Sequence, residues 1–556
     1  MRLKSLLILI LAAFNLEAAK PNIILFLIDD QDKSSIGAYG GNTLTPHLDQ
    51  MAREGILFHR AYASSTVCNP SRYSFHTGRY AGNSYYKEFV SSYPADHQSH
   101  IAFNTALEAD NMNIGAVLAQ NGYATGFTGK FHMGGHEGFS KNATEDFGLS
   151  PIPKDATASP EISEAFRKNE LIARDYIKSR GFTWAKNIYL GNMQAPYLTQ
   201  NPEWNLAAAY EFIEDNSQKN KPFYLSFCLT LLHDGVDTWP KSLDLPHHTG
   251  AGEVEPDPEV IANRNKLKQI IAQSDIPNKA QLTGEVWVDA TLGALMAKLK
   301  ELGIDENTIV VFAPDHGISG KGSLYDKGAA NIPMIIRWPG GIPAGLESDA
   351  LVQNIDLVPT FFDLAGAKVP SEYKMDGISL SPLFNSGEAA NWRDALYFEI
   401  GCSRGIMTKD WNYIANRYTA DRLQTIQRNK LPQRLPRLMA PLNRLGIGTF
   451  GSAHPGFFEE DQLYSLKNDP DEMNNLANNP EHQAVLQTMQ QELTTALEFI
   501  GNAYGEFLPG ANTTLPGQID EQVELAKQIR IEHKTVHLPE SHGSTVWKDG
   551  SHQIKN

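Results

Sequence analysis

Cysteine is nearly absent: Cys68, Cys228 and Cys402 are the only three in 556 residues. That excludes a fold held together by a disulfide framework. Basic charge is also in short supply, with 48 lysines and arginines against 64 aspartates and glutamates and a formal net charge of −16. Such a balance argues against general affinity for nucleic acid or for an anionic membrane surface, so neither is expected as a partner. A polyanionic partner would have to meet a local basic surface. After the first twenty residues no apolar run is long enough to cross a bilayer. The chain shows no internal repeat and no low-complexity tract.

What is present is enough for a large globule. Hydrophobic residues make up 41% of the chain, and its length exceeds one ordinary core, so two domains are expected. At the N-terminus, Arg2 and Lys4 precede an apolar run from Leu6 to Phe14, with small residues at Ala18 and Ala19. Residues 1–19 therefore read as a secretory signal, and the mature protein as periplasmic or secreted. A buried N-terminal helix is the plainer alternative. No cysteine near the cleavage region offers a lipid anchor. Asn142-Ala143-Thr144 is a glycan acceptor only in a eukaryotic secretory pathway.

Four segments share one layout, a short apolar run ending in polar, potentially reactive residues. Asn22 to Ile28 runs into Asp29 and Asp30. Tyr123 to Thr128 leads to Lys130 and His132, Phe223 to Leu229 to His233, and Thr308 to Ala313 to Asp315 and His316. Continuous apolar runs of this length suit strands buried on both faces. Helical patterns alternate with them: Val288, Leu292, Leu295, Met296, Leu299 and Leu302 share one helical face, and Gly303 is placed to end it. Asn201-Pro202 reads as the cap and first turn of another helix. Alternation of this kind predicts an α/β fold, a large mixed and mostly parallel sheet between helix layers. Ligands of such sheets lie beyond the carboxyl ends of the strands, where the polar residues just named would converge. After Pro382 the character changes to short strands, Ala395 to Ile400 and Trp411 to Ile414, then helices around Val485 to Ile500 and Val523 to Ile529. The expected division is a catalytic domain over 20–385 and a smaller α+β subdomain with antiparallel strands over 386–556.

The most specific local pattern is Cys68-Asn69-Pro70-Ser71-Arg72 followed by Thr77-Gly78-Arg79. It resembles the maturation signature of type I sulfatases of the alkaline phosphatase-like superfamily. The resemblance implies that a formylglycine-generating enzyme oxidises Cys68 to formylglycine, the nucleophilic aldehyde. A small buried cysteine ahead of a helix is the bland alternative. Gly129-Lys130-Phe131-His132-Met133-Gly134, Gly320-Lys321-Gly322, Thr45-Pro46-His47-Leu48-Asp49 and Leu463-Tyr464-Ser465-Leu466 resemble further landmarks of the same family, so the likeness runs over most of the chain.

By that resemblance Asp29, Asp30, Cys68, Asp315 and His316 hold one divalent cation. Histidine stands at 316 where many members have asparagine. Carboxylate-rich sets suit Ca²⁺, or Mg²⁺, better than zinc. The cation would neutralise the sulfate oxygens and polarise the hydrated aldehyde, with Lys130 and Lys321 adding fixed positive charge. One geminal hydroxyl would attack sulfur and the other drive sulfate release. Arg72 would support the hydrated aldehyde, His132 would hold and later deprotonate its second hydroxyl, and His233 would protonate the leaving alcohol. Taken singly, Asp29-Asp30 reads as a turn and cap, and His233 has an alternative as a strand-end histidine, Lys130 as a solvated turn lysine and Lys321 as a loop cap. His247-His248 fits none of these patterns and reads as loop.

Arg422, Arg428, Lys430, Arg434, Arg437 and Arg444 form a basic stretch within 421–444, either a subsite for further sulfates or a solvated loop or interdomain contact. Phe182, Trp184 and Tyr189 are candidates for sugar stacking or for local core. Together these features point to hydrolysis of sulfate esters on sulfated oligosaccharides. A formylglycine-dependent phosphodiester or phosphonate monoester hydrolase and a non-catalytic glycan-binding relative are the competing classes.

Overall fold

The computed structural model describes residues 20–134, 147–233, 237–256, 258–419 and 459–513, positions 454 and 456, and the short segments 546–548 and 551–553. The N-terminal segment 1–19, the Asn142 triplet, the basic stretch and the helix expected around Val523 to Ile529 lie outside the described residues.

The main sheet is built from β1 (Asn22–Ile28), β2 (Ile56–Tyr62), β3 (Ala124–Lys130), β4 (Trp184–Tyr189) and β5 (Phe223–Cys228). A small hairpin follows, β6 (His248–Thr249) and β7 (Gly252–Glu253). The main sheet then takes in β8 (Thr308–Pro314), β9 (Asn331–Arg337), β10 (Leu346–Ser348) and β11 (Val352–Gln353). Its order is β10-β2-β9-β8-β1-β5-β3-β4, with β11 beside β2. Every pairing is parallel except those of β9, which runs antiparallel to β2 and β8.

The strand β1 shows why an unbroken apolar run was needed. Ile23, Leu25 and Leu27 enter one core, packed with Tyr73 and Phe75, Val117, Ile177 and Phe361 from the helices on that side. Ile24, Phe26 and Ile28 enter the other, against Met51, Phe212, Trp287 and Leu295. All six β1 side chains are completely buried, each contributing about 1.5–3 kcal/mol of gross transfer free energy. Asn201 caps the Pro202–Gln218 helix by accepting from the Trp204 amide. The long helix spans Lys279–Glu301, and Gly303 follows with a φ of +67°.

The second sheet is antiparallel, β12 (Ala395–Ile400), β13 (Ser403–Thr408), β14 (Trp411–Asn416) and β15 (Asp461–Ser465) in that order. One face of it carries Tyr397, Ile406, Tyr413 and Leu463 against Leu486, Met489, Leu493 and Leu497 of the Gln483–Ile500 helix. The other carries Phe398, Ile400, Met407 and Tyr464 against Tyr62, Leu324 and Tyr325 of the main body. The subdomain is thus packed onto the larger unit through an apolar face.

Candidate active site

Four parallel strands deliver the reactive groups to one sheet edge. Asp29 and Asp30 follow β1, Lys130 ends β3 with His132 two residues on, His233 lies beyond β5, and Asp315 and His316 follow β8. The pairings Ile28–Pro314 and Gly129–Cys228 align the ends of these strands. Gly129 is required by that alignment: its φ is +94°, and a Cβ there would lie 1.6 Å from the Cys228 carbonyl oxygen. Asp30 and His132 also have positive φ, 56° and 50°, unusual backbone for residues other than glycine.

Cys68 opens the Cys68–Thr77 helix, all ten residues of which are buried. Its Sγ lies 3.6 Å from Asp29 Oδ1, 3.3 Å from His316 Nε2 and 3.7 Å from Lys321 Nζ. Burial would push the thiol up, but Lys130, Lys321, His316 and a hydrogen bond from His132 bring it well below its ordinary value.

The carboxylates are neutralised pairwise. Lys130 Nζ donates to Asp29 Oδ2 at 2.5 Å, and Lys321 Nζ to Asp30 Oδ1 at 2.7 Å. Arg72 donates through Nε to Asp315 Oδ2 at 2.8 Å, through Nη2 to Asp29 Oδ2 at 3.2 Å and through Nη1 to the Lys130 carbonyl at 3.0 Å. Its guanidinium therefore fixes two carboxylates, which is a more specific use than the general support read from the sequence. Breaking such a buried pair by removing one partner costs about 3–5 kcal/mol. Burial and the Cys68 thiolate raise Asp29, yet Lys130, Arg72 and His233 hold it below the carboxylate range. Burial and Asp29 together raise Asp315.

The carboxylates of Asp29, Asp30 and Asp315 are donors that suit a hard divalent ion. Ligand atoms of Asp29, Cys68, Asp315 and His316 lie within 4.8 Å of one another, as do those of Asp29, Asp30 and His233. His316 Nδ1 is 2.9 Å from the Gly317 carbonyl. A proton held there leaves the Nε2 lone pair facing Cys68 and Asp315, the arrangement of a ligating imidazole oriented by a backbone carbonyl. Burial depresses His316, but Asp315, Cys68 and Asp30 raise it to about 9, and an ion would displace that proton.

His132 stays neutral. Burial, opposed by its bond to Cys68, brings it down to about 4, and its Nδ1 is buried with no hydrogen-bond partner among the described residues. Phe103 stacks on the ring at 5.6 Å. The structure thus brings together Asp29, Asp30, Cys68, Arg72, Lys130, His132, His233, Asp315, His316 and Lys321.

Three further residues of the site were given no role by the sequence. Asn69 donates to the His132 and Thr105 carbonyls at 2.7 and 2.9 Å and accepts from Thr105. Asn192 Oδ1 accepts from Lys130 Nζ at 2.7 Å. Gln200 Nε2 donates to the His233 carbonyl at 2.9 Å. Each acts through backbone or through a distant partner, so only Asn69, inside the Cys68 pattern, was within reach of a motif. Phe182 and Tyr189 are 3% and 4% exposed, Phe182 packs edge-on to Phe127 and Trp184 lies against Phe212. These aromatics form core rather than a sugar platform.

A helix-covered, mostly parallel sheet with an acidic and imidazole ligand set at its carboxyl edge, and an antiparallel subdomain beside it, defines the alkaline phosphatase-like class of hydrolases. Residues 21–367, more than half of the chain, match the Sulfatase family. The chain belongs to that family and is a sulfuric ester hydrolase of type I. Residues 314–441 also match a region described as N-sulphoglucosamine sulphohydrolase, C-terminal.

Among curated relatives, an ulvan-active sulfatase of Formosa agariphila is 26% identical over 95% of this chain and 89% of its own. An N-acetylglucosamine-6-O-sulfatase of Bacteroides thetaiotaomicron is 24% identical over 90% and 89%. A solved structure in complex with its substrate, D-glucosamine-2-N,6-O-disulfate, shares the fold with a TM-score of 0.55 at 21% identity, covering 86% of this chain and 98% of its own.

Proposed function

We propose that the protein releases inorganic sulfate from sulfated oligosaccharides, with Cys68 as formylglycine and one divalent cation, Ca²⁺ ahead of Mg²⁺. The observation that carries this reading is the position of Cys68. Its Sγ lies close to Asp29, His316 and Lys321, and it clusters with Asp29, Asp315 and His316. The names of the ulvan-active and N-acetylglucosamine-6-O-sulfatase relatives support a sulfated glycan as substrate.

Asp29, Asp30, Asp315 and His316 would hold the cation, which supplies Lewis-acid neutralisation of the sulfate oxygens. Lys130 and Lys321 stay charged: burial opposes both ammonium groups, and the adjoining aspartates raise both above their ordinary value. They stabilise charge on the sulfuryl oxygens as it develops. His132, neutral at physiological pH, accepts a proton at the Cys68 position, and His233 donates one to the departing sugar oxygen. Export through residues 1–19 and maturation by a formylglycine-generating enzyme belong to the same reading.

The test is sulfate release, by ion chromatography, from a panel of sulfated oligosaccharides, using protein coexpressed with a formylglycine-generating enzyme and Cys68→Ala as control. Release from one or more members, abolished in the control, is expected. Silence across the panel with the aldehyde confirmed by mass spectrometry, together with turnover of phosphodiesters, would replace the reading. His233→Ala should slow sugar sulfates far more than activated aryl sulfates; equal losses would remove its role as acid.

A further inference from the structure

The His247-His248 pair, which the sulfatase reading leaves unused, lies on the small hairpin. His248 and Glu253 are direct cross-strand partners of β6 and β7, which places their side chains side by side. The Val254 amide donates to the His247 carbonyl at 2.8 Å and extends the ladder by one step. Asn201 Nδ2 donates to the Pro246 and His248 carbonyls at 2.9 and 3.0 Å, fixing the backbone on both sides of His247. The turn is closed by Thr249 Oγ1, which donates to the Gly252 carbonyl at 2.8 Å, and Gly252 has a φ of +85°.

This frame brings two imidazoles and a carboxylate together. Ligand atoms of His247, His248 and Glu253 lie within 4.8 Å of one another. The two rings are 4.5 Å apart at 81°, and Tyr197 packs edge-on to His248 at 5.1 Å. His248 Nε2 is 3.7 Å from Glu253 Oε1. That gap is too long for a hydrogen bond, but it is near the roughly 3.3 Å edge between two donors on a tetrahedral ion with bonds of about 2.0–2.1 Å.

We propose that His247, His248 and Glu253 form an accessory site for a divalent transition ion of the zinc type, sharing no residue with the Cys68 cluster. Two imidazoles with one carboxylate suit Zn²⁺ or Co²⁺ rather than Ca²⁺, which prefers an all-oxygen shell. An anion is disfavoured, because Glu253 and Glu255 both line the adjoining cavity of about 440 Å³ with His247, Val254 and Pro256. Side-chain exposures of 13% for His248 and 46% for Glu253 leave one donor anchored and the other reachable. The remaining positions would be left to water. A bound ion would brace the segment after His233, since the Glu253 amide donates to Ser163 Oγ at 2.8 Å and Gly250 abuts the ring of Tyr189.

The experiment uses tag-free, full-length protein dialysed against Zn²⁺ in excess Ca²⁺, with zinc counted by plasma mass spectrometry. Wild type should retain one more zinc equivalent than His247→Ala or His248→Ala, and Co²⁺ should give visible absorption bands that both variants lose. Glu253→Gln, at a half-exposed position, should weaken zinc binding about tenfold or more, and it keeps the test decisive if a histidine variant fails to fold. Equal zinc in wild type and all three variants, or none in wild type, would overturn the site.

Discussion

Within the Cys68–Thr77 helix, His76 is completely buried, with Nδ1 on the Arg72 carbonyl at 2.7 Å and Nε2 on Ser226 Oγ at 3.0 Å. Burial brings its pKa down to about 4, whereas an unfolded histidine titrates near 6.5. Between those values the unfolded chain binds the extra proton, so this residue's contribution to stability falls as pH falls, by about 2 kcal/mol on reaching pH 5. Asp289, Asp376 and Glu472, raised by burial to about 7, 6 and 8, act in the opposite sense. The useful measurement is therefore a difference. In urea unfolding, the gap between wild type and His76→Gln should narrow by about 2 kcal/mol from pH 7 to pH 5, and a constant gap would mean His76 is protonated in the native state. This residue had no sequence signature, because a histidine's burial depends on which strand lies opposite it.

At the scale of elements, the turn after β3 depends on one side chain from another element. Asn69 ties His132 and Thr105 to the start of the Cys68 helix. Asn69→Ala should cost about 1–3 kcal/mol, the penalty of unsatisfied buried groups, and should lower kcat by freeing His132. Thermal unfolding and kinetics on one substrate check both, and unchanged kcat would show that the turn holds by itself.

The strands around the site were legible as apolar runs ending in polar pairs, and Ala395–Ile400 of the second sheet was legible to the residue. Neither the reversed direction of β9 nor the hairpin carrying His248 could be read in this way. Strand direction is set by which neighbour a segment finds, and a hairpin of two-residue strands has no hydrophobic period. Lys130, His132, Asp315 and His316 were legible because their spacing to a strand end is local. Asn192 and Gln200 were not, because their partners lie 62 and 33 residues away in sequence.

For the whole molecule, two apolar cores flank the sheet, and three basic groups already neutralise the carboxylates of Asp29, Asp30 and Asp315. Chelation should therefore abolish turnover, restored by Ca²⁺, while the melting temperature falls by only a few degrees. Loss of the fold on chelation would make the ion structural. Among the described residues no helix is long and apolar enough to cross a membrane. The burial of Cys68, 1% exposed at the head of a helix that faces solvent nowhere, also sets an order of events in the cell. On the proposed reading, in which Cys68 becomes formylglycine, the modifying enzyme would have to reach these residues before they are enclosed, on the nascent or still unfolded chain. On that reading, chains that fold first would lack the nucleophile, and the yield of active protein would be set by a race between folding and modification.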